Sequence, residues 1–243
     1  MTRAMLLFLP GLICDARTFA PQIAAFPGSK AVNSYGLANT LPEMAQIALD
    51  QAPERFDLFG HSMGGRVALE VFRLAPHRVR RLAISSTGVH SLRPTEPANR
   101  HALQALGHEQ GFEKLVDTWL PPMVAEVNRD KPGLYAPMRQ MCLSMGQDVF
   151  DAQINALLTR PEQESLLAEI ACPTLVMTGE LDGWSPPPQH EAIADRIADS
   201  TLVIVEGAGH MLPLEAPDAV NQAIAAWLNE PANEKNPYPS TRL

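Results

Sequence analysis

Three residue types in this chain, set in three separate glycine-rich loops, are able to perform acyl chemistry together. Ser62 stands in Gly60-His61-Ser62-Met63-Gly64-Gly65, between a strand-like apolar run over 56–60 and a helical pattern over 66–75. A G-x-S-x-G turn in that setting is a nucleophile elbow: glycines on either side let strand and helix approach closely, and the serine is raised on a strained turn. A serine hydroxyl is a poor nucleophile at neutral pH, so it needs a base, and the base needs an orienting carboxylate. Downstream, Gly179-Glu180-Leu181-Asp182-Gly183-Trp184-Ser185-Pro186 follows a strand-like run over 174–178, and Glu206-Gly207-Ala208-Gly209-His210 follows another over 202–205. Taken singly, Asp182 reads equally well as a turn residue and His210 as a core histidine. Taken together, they give the chain order Ser, Asp, His with each residue in the loop after a strand.

The rest of the chain supplies elements to hold these loops. Residues 4–9 form a buried apolar run closed by Pro10-Gly11, residues 31–35 a weaker strand, and residues 82–86 a further strand. Helical spacing runs over 41–52 behind Thr40, near 190–198, and from about 217 to 228. Asp15 or Thr18 is a cap for a short helix toward residue 25. Strands alternating with helices indicate an α/β fold with a parallel sheet covered on both faces. Residues 92–170 break the alternation with helical stretches punctuated by proline. They are expected to form an α-helical cap inserted into a core made of residues 1–91 and 171–230, with an irregular tail over 231–243.

Composition narrows the class. With 46% hydrophobic and 19% charged residues the chain is an ordinary globular protein, and a net charge of −8 argues against nucleic acid or an anionic membrane as partner. Cys14, Cys142 and Cys172 show no metal or C-x-x-C spacing, and the histidines outside the motifs show none either, so no metal is assigned. The first apolar run is too short for a signal peptide, and with reduced thiols the expected location is cytoplasmic.

The motifs Leu9-Pro10-Gly11-Leu12, Gly60-His61-Ser62-Met63-Gly64-Gly65, Gly179-x-x-Asp182-x-x-x-Pro186 and Gly207-x-Gly209-His210 resemble those of the α/β-hydrolase superfamily, over most of the chain. The resemblance is to compact carboxylesterases, such as the pimeloyl-carrier-protein methyl ester esterases. It implies an α/β-hydrolase fold of about six mostly parallel strands flanked by helices, with a helical cap. It also implies Ser62 as nucleophile, His210 as base and Asp182 as its partner, with the Met63 and Leu12 N–H groups as oxyanion hole. Pro10-Gly11 stands where the family usually has His-Gly, but the hole uses main-chain donors.

No cofactor is needed for such chemistry, and the expected partner is a small-molecule ester. Trp184 and Met211, which flank the acid and base, and Met141 from the methionine-rich cap are candidates for the substrate pocket. Arg66, one helical turn after Ser62, reads most simply as an i,i+4 partner of Glu70. It also resembles the arginine of the menaquinone-pathway synthase, a carbon–carbon lyase that uses the same three residues as a base and holds carboxylates with cations. Arg93, Arg100, Arg139 and Arg160 are the other cations such a lyase would enlist. A non-catalytic ligand receptor on the same fold is the third alternative.

Overall fold

In the computed structural model, residues 4–231 are described; the tail expected over 231–243 lies outside them, save its first residue. Six strands form one sheet: β1 (Leu6–Leu9), β2 (Lys30–Ala31), β3 (Phe56–His61), β4 (Val79–Ser85), β5 (Thr174–Gly179) and β6 (Ser200–Val205). Their order is β2-β1-β3-β4-β5-β6 and every neighbouring pair is parallel. β3 lies centrally, between β1 and β4, so its carboxyl end opens at the middle of the sheet.

The inner strands β1, β3, β4 and β5 are buried on both faces, whereas the edge strands β2 and β6 are partly exposed, and the two-residue period persists in the inner four. Leu7, Leu9, Leu58, Ile84 and Val176 belong to one core, while Leu6, Phe8, Phe59, Ala83 and Met177 belong to another. The first core packs against α2 (Leu41–Gln51) and α3 (Met63–Leu74), the second against α10 (Pro217–Asn229). The remaining helices are α1 (Ala20–Ala25), before α2, and α4 (Glu96–Gln110), α5 (Phe112–Trp119), α6 (Tyr135–Met145), α7 (Gln147–Leu158), α8 (Pro187–Ala194) and α9 (Leu212–Glu215), between α3 and α10. No helix among the described residues is long and apolar enough to cross a membrane.

Two boundaries differ from the sequence reading. The strand expected over 31–35 shrinks to Lys30–Ala31, because Ser34 closes a local turn by accepting the Gly36 N–H at 2.9 Å and Gly36 takes φ +58°. The elbow helix begins at Met63 rather than residue 66, so its first free N–H groups lie directly beside Ser62.

The stretch from Glu96 to Leu158 carries α4 to α7 and no strand among the described residues. Pro97 occupies the second position of α4 and Pro137 the third of α6, where a missing N–H costs nothing. This stretch is fastened to the loops at the carboxyl end of the sheet: Met123 O accepts the Met211 N–H at 3.1 Å, and Asn128 Nδ2 donates to Gly207 O at 2.8 Å.

Candidate active site

Ser62 has φ +57° and ψ −120°, a left-handed conformation that a side chain rarely adopts. Several contacts enforce it. A Cβ on Gly60 would fall on the Gly64 carbonyl, and one on Gly64 would fall on the Leu9 carbonyl, so neither position admits another residue. The Ser62 N–H donates to Ser85 O at 2.9 Å, and Ser62 O accepts from the Thr87 hydroxyl at 2.7 Å and from the Gly65 N–H at 2.9 Å. The strain is thus held by β4, α3 and the segment after β4 together.

His210, in the loop after β6, directs Nε2 to Ser62 Oγ at 2.8 Å. Its Nδ1 lies 2.9 and 3.1 Å from the two carboxylate oxygens of Asp182, in the loop after β5. A carboxylate only accepts, so Nδ1 carries the proton and Nε2 is free to accept from the serine hydroxyl. Asp182 Oδ1 also accepts the Trp184 and Ser185 N–H groups at 2.9 and 2.8 Å. Burial alone would raise the Asp182 pKa, but His210 and these two N–H groups bring it down to about 2. Asp182 therefore stays ionised throughout the neutral range.

His61 sits behind this pair, its ring 5.5 Å from that of His210. It is buried, with Nδ1 3.0 Å from Ser85 Oγ, and burial together with the nearby His210 pushes its pKa down to about 3. It is neutral at pH 7 and places no positive charge against His210. His190, on α8, accepts the Thr87 N–H at 3.0 Å, and burial holds it near 4. It links the Asp182 loop to the residue that clamps Ser62.

Ser62, His210, Met63 and Leu12 line one cavity of about 260 Å³. The Met63 N–H is the first of α3 and has no helical partner. Leu12 lies in the loop after β1, where Gly11 lets the chain pass close to Ser62, its missing Cβ site 3.1 Å from Ser62 Cβ. Both N–H groups thus belong to backbone bordering the serine.

Of the three pocket candidates, only Trp184 lines this cavity, at its rim and 53% exposed. Met141 faces inward from α6 to Thr18, whose hydroxyl lies 3.5 Å from its sulfur. Met211 is turned into the core, its N–H held by Glu215 Oε1 at 3.0 Å. The apolar wall is made instead by Leu103, Trp119, Met123, Ile154 and Leu157. Arg139 is a surface residue 2.6 Å from Asp117. The expected Arg66–Glu70 pair does not form: Glu70 is engaged by Arg73 and Gln163, and Arg66 turns to the cavity.

Two supporting residues carry no motif. Glu215 accepts the Ala125, Gly209 and Met211 N–H groups, each at 3.0 Å, and Asn128 Nδ2 at 2.8 Å, tying the His210 loop to residues 125–128. Gln153, on α7, accepts the Ile13 N–H beside Leu12. A lone acid and a lone glutamine inside helical patterns give no sign of these duties in sequence.

Comparison with known proteins gives concordant results. The model of the Alpha/beta hydrolase family matches residues 6–223. The chain is 27% identical over 215 residues to the Pimeloyl-[acyl-carrier protein] methyl ester esterase of Pectobacterium carotovorum, covering 86% of this chain and 84% of that one. It is 27% identical over 243 residues to the (E)-2-((N-methylformamido)methylene)succinate hydrolase of Acinetobacter baylyi, covering 92% and 89%. The solved structure of a thermophilic esterase from Thermogutta terrifontis, with malate bound, superposes with a TM-score of 0.82 at 28% identity, covering 93% of this chain and 90% of that one.

Proposed function

This chain belongs to the alpha/beta hydrolase family, and on that premise we propose that it is a serine hydrolase cleaving a small carboxylic ester through an acyl-enzyme on Ser62. The observation that carries the reading is the hydrogen-bonded line from Asp182 through His210 to Ser62 Oγ, closed by a 2.8 Å contact. Ser62 Oγ attacks the acyl carbon while its proton passes to His210 Nε2. Ionised Asp182 stabilises the imidazolium so formed. The Met63 and Leu12 N–H groups receive the oxyanion. Collapse of the tetrahedral intermediate expels the alkoxide, which takes the proton from His210. Water then attacks the acyl carbon, giving its proton to His210, and the same proton returns to Ser62 as the acid leaves.

Every proton and electron pair in this path is carried by side chains, substrate and water, so the path calls for no cofactor. Residues 92–170 act as a cap on a core of residues 1–91 and 171–230. Leu103, Trp119, Met123, Ile154 and Leu157 supply the cavity's apolar wall, which suits an acyl group of modest size.

A carbon–carbon lyase is the second reading, favoured by one observation: Arg66, Arg93 and Arg100 line the same cavity. Hydrolysis of p-nitrophenyl esters of increasing acyl length, with Ser62→Ala beside wild type, separates the two. The hydrolase turns over a short or medium chain and the variant loses that activity. A folded wild-type protein that cleaves none of the series overturns the hydrolase reading.

A further inference from the structure

Arg66 is 6% exposed, lies one helical turn after Ser62, and lines the cavity with it. Among the described residues no carboxylate comes within 4.0 Å of its guanidinium. Its five N–H donors meet two distant acceptors, His90 O at 3.4 Å and Gln163 Oε1 at 3.5 Å. A buried guanidinium in that condition is costly, since a desolvated charge calls for an ion partner and full hydrogen bonding.

The one carboxylate lining the cavity, Glu96, is already committed. It lies 2.7 Å from Arg100 and 2.7 and 3.0 Å from Arg160. Against the upward push of burial, Arg160 and Arg100 hold it down to about 2, so at neutral pH it is ionised and occupied by those two arginines. Arg66, Arg93, Arg100 and Arg160 thus set four guanidinium groups against a single carboxylate, in a chain whose net charge is −8. Burial, with Arg160 next and Glu96 opposing from a distance, lowers the Arg66 pKa to about 9, so at neutral pH its charge is present with no carboxylate in contact.

We propose that Arg66 binds a second, free carboxylate on the ester substrate, so that the preferred substrates are short half-esters whose carboxylate lies a few bonds from the scissile carbonyl. This deepens the serine-hydrolase reading and rests on it for turnover. Ser62, at the start of α3, and Arg66, in its first turn, line the same small cavity, so a short acyl or alcohol chain spans from the serine to the guanidinium. The cavity, about 260 Å³, lies just below the ~300–1,000 Å³ range of drug-sized ligand sites, which suits a short substrate. A planar guanidinium matches a carboxylate through two parallel N–H···O bonds, and the apolar wall excludes competing water.

The test compares kcat/KM at pH 7 for monomethyl glutarate with that for dimethyl glutarate. A second pair, 3-acetoxypropionate and its methyl ester, puts the carboxylate on the alcohol side and shows which side Arg66 reads. In at least one pair the wild-type protein prefers the charged ester by about 10- to 100-fold, the size expected of charge-assisted hydrogen bonds. Arg66→Gln brings that preference to within about threefold. Calorimetric titration with glutarate gives a readout independent of turnover: wild type binds it, and the folded variant binds it at least about tenfold more weakly.

Equal or better use of the neutral ester in both pairs by wild type overturns the proposal, and that comparison needs no variant. Retention of the preference by Arg66→Gln overturns it too. Failure to cleave any ester, neutral p-nitrophenyl esters included, instead removes the hydrolase reading. Glutarate binding that depends on Arg66 then leaves a carboxylate site without that chemistry, and its absence overturns the carboxylate site as well.

Discussion

Gln153 Oε1 accepts the backbone N–H of Ile13 at 2.7 Å, across 140 residues of chain. The contact joins α7 to the loop that carries Leu12, and it does so at a β-branched residue held at φ +45°. Such a conformation is strained for isoleucine and persists only where surroundings impose it. Gln153→Leu keeps the volume and removes the acceptor. The Ile13 N–H is then left buried without a partner, and the loop relaxes away from the geometry an oxyanion donor needs. The expected result is a loss of about 1–3 kcal/mol in urea unfolding and a fall in kcat of roughly 10- to 100-fold, short of the ~10²–10³ seen on deleting a donor outright. A variant with unchanged kcat would dissociate Leu12 from catalysis.

Glu215 performs the corresponding duty for His210. Its two oxygens collect four donors from three backbone N–H groups and Asn128. In Glu215→Gln one oxygen becomes an NH₂ facing N–H groups, so at least one buried donor is orphaned. Stability falls by about 2–4 kcal/mol, and kcat falls because the Gly209–Met211 backbone that aims His210 loses its anchor. Thermal melting and steady-state kinetics on the same preparation check both parts. Loss of stability with kcat intact would make Glu215 purely structural.

Two buried histidines set the acid limit of the fold. His61 and His190 titrate near 3 and 4 when folded, both lowered chiefly by burial, whereas an unfolded histidine titrates near its ordinary 6.5. Below that ordinary value the unfolded chain binds protons that the folded chain refuses. Stability is therefore complete above about pH 6.5 and falls as pH drops through the window down to 4 and 3, by up to about 1.4 kcal/mol per pH unit for each histidine. Asp182, lowered to about 2, adds the same sign of loss only below its ordinary 3.8. Urea unfolding at pH 7, 6 and 5 should show the decline, and His190→Gln should reduce its slope. A flat profile from 7 to 5 would contradict neutral burial of these rings.

The motif residues were legible in sequence because each occupies the loop after a strand, where local glycine spacing leaves a trace. The inner strands β1, β3, β4 and β5 were legible because buried strands read as short apolar runs between turn residues; the edge strand β2, two partly exposed residues at Lys30–Ala31, was not. Side-chain direction in the helical stretch was not. Met141 and Met211 have the composition of pocket residues, yet the rotation of α6 and the Glu215 anchor turn them into the core. Arg66 followed by Glu70 reads as a surface pair, but α3 is buried nearly all round, so tertiary neighbours on other elements replace the local partner. Gln153 and Glu215 act through long-range main-chain contacts, which no spacing rule encodes.

The account turns on Ser62 becoming covalently acylated with His210 as its base. Rapid-mixing of the protein with a slowly deacylated p-nitrophenyl ester measures this most directly. The account predicts a burst approaching one equivalent of p-nitrophenol, with the acyl mass found on the peptide containing Ser62 and both signals lost in Ser62→Ala. Turnover that persists in Ser62→Ala at the wild-type rate, or an acyl group found on another residue, would contradict it.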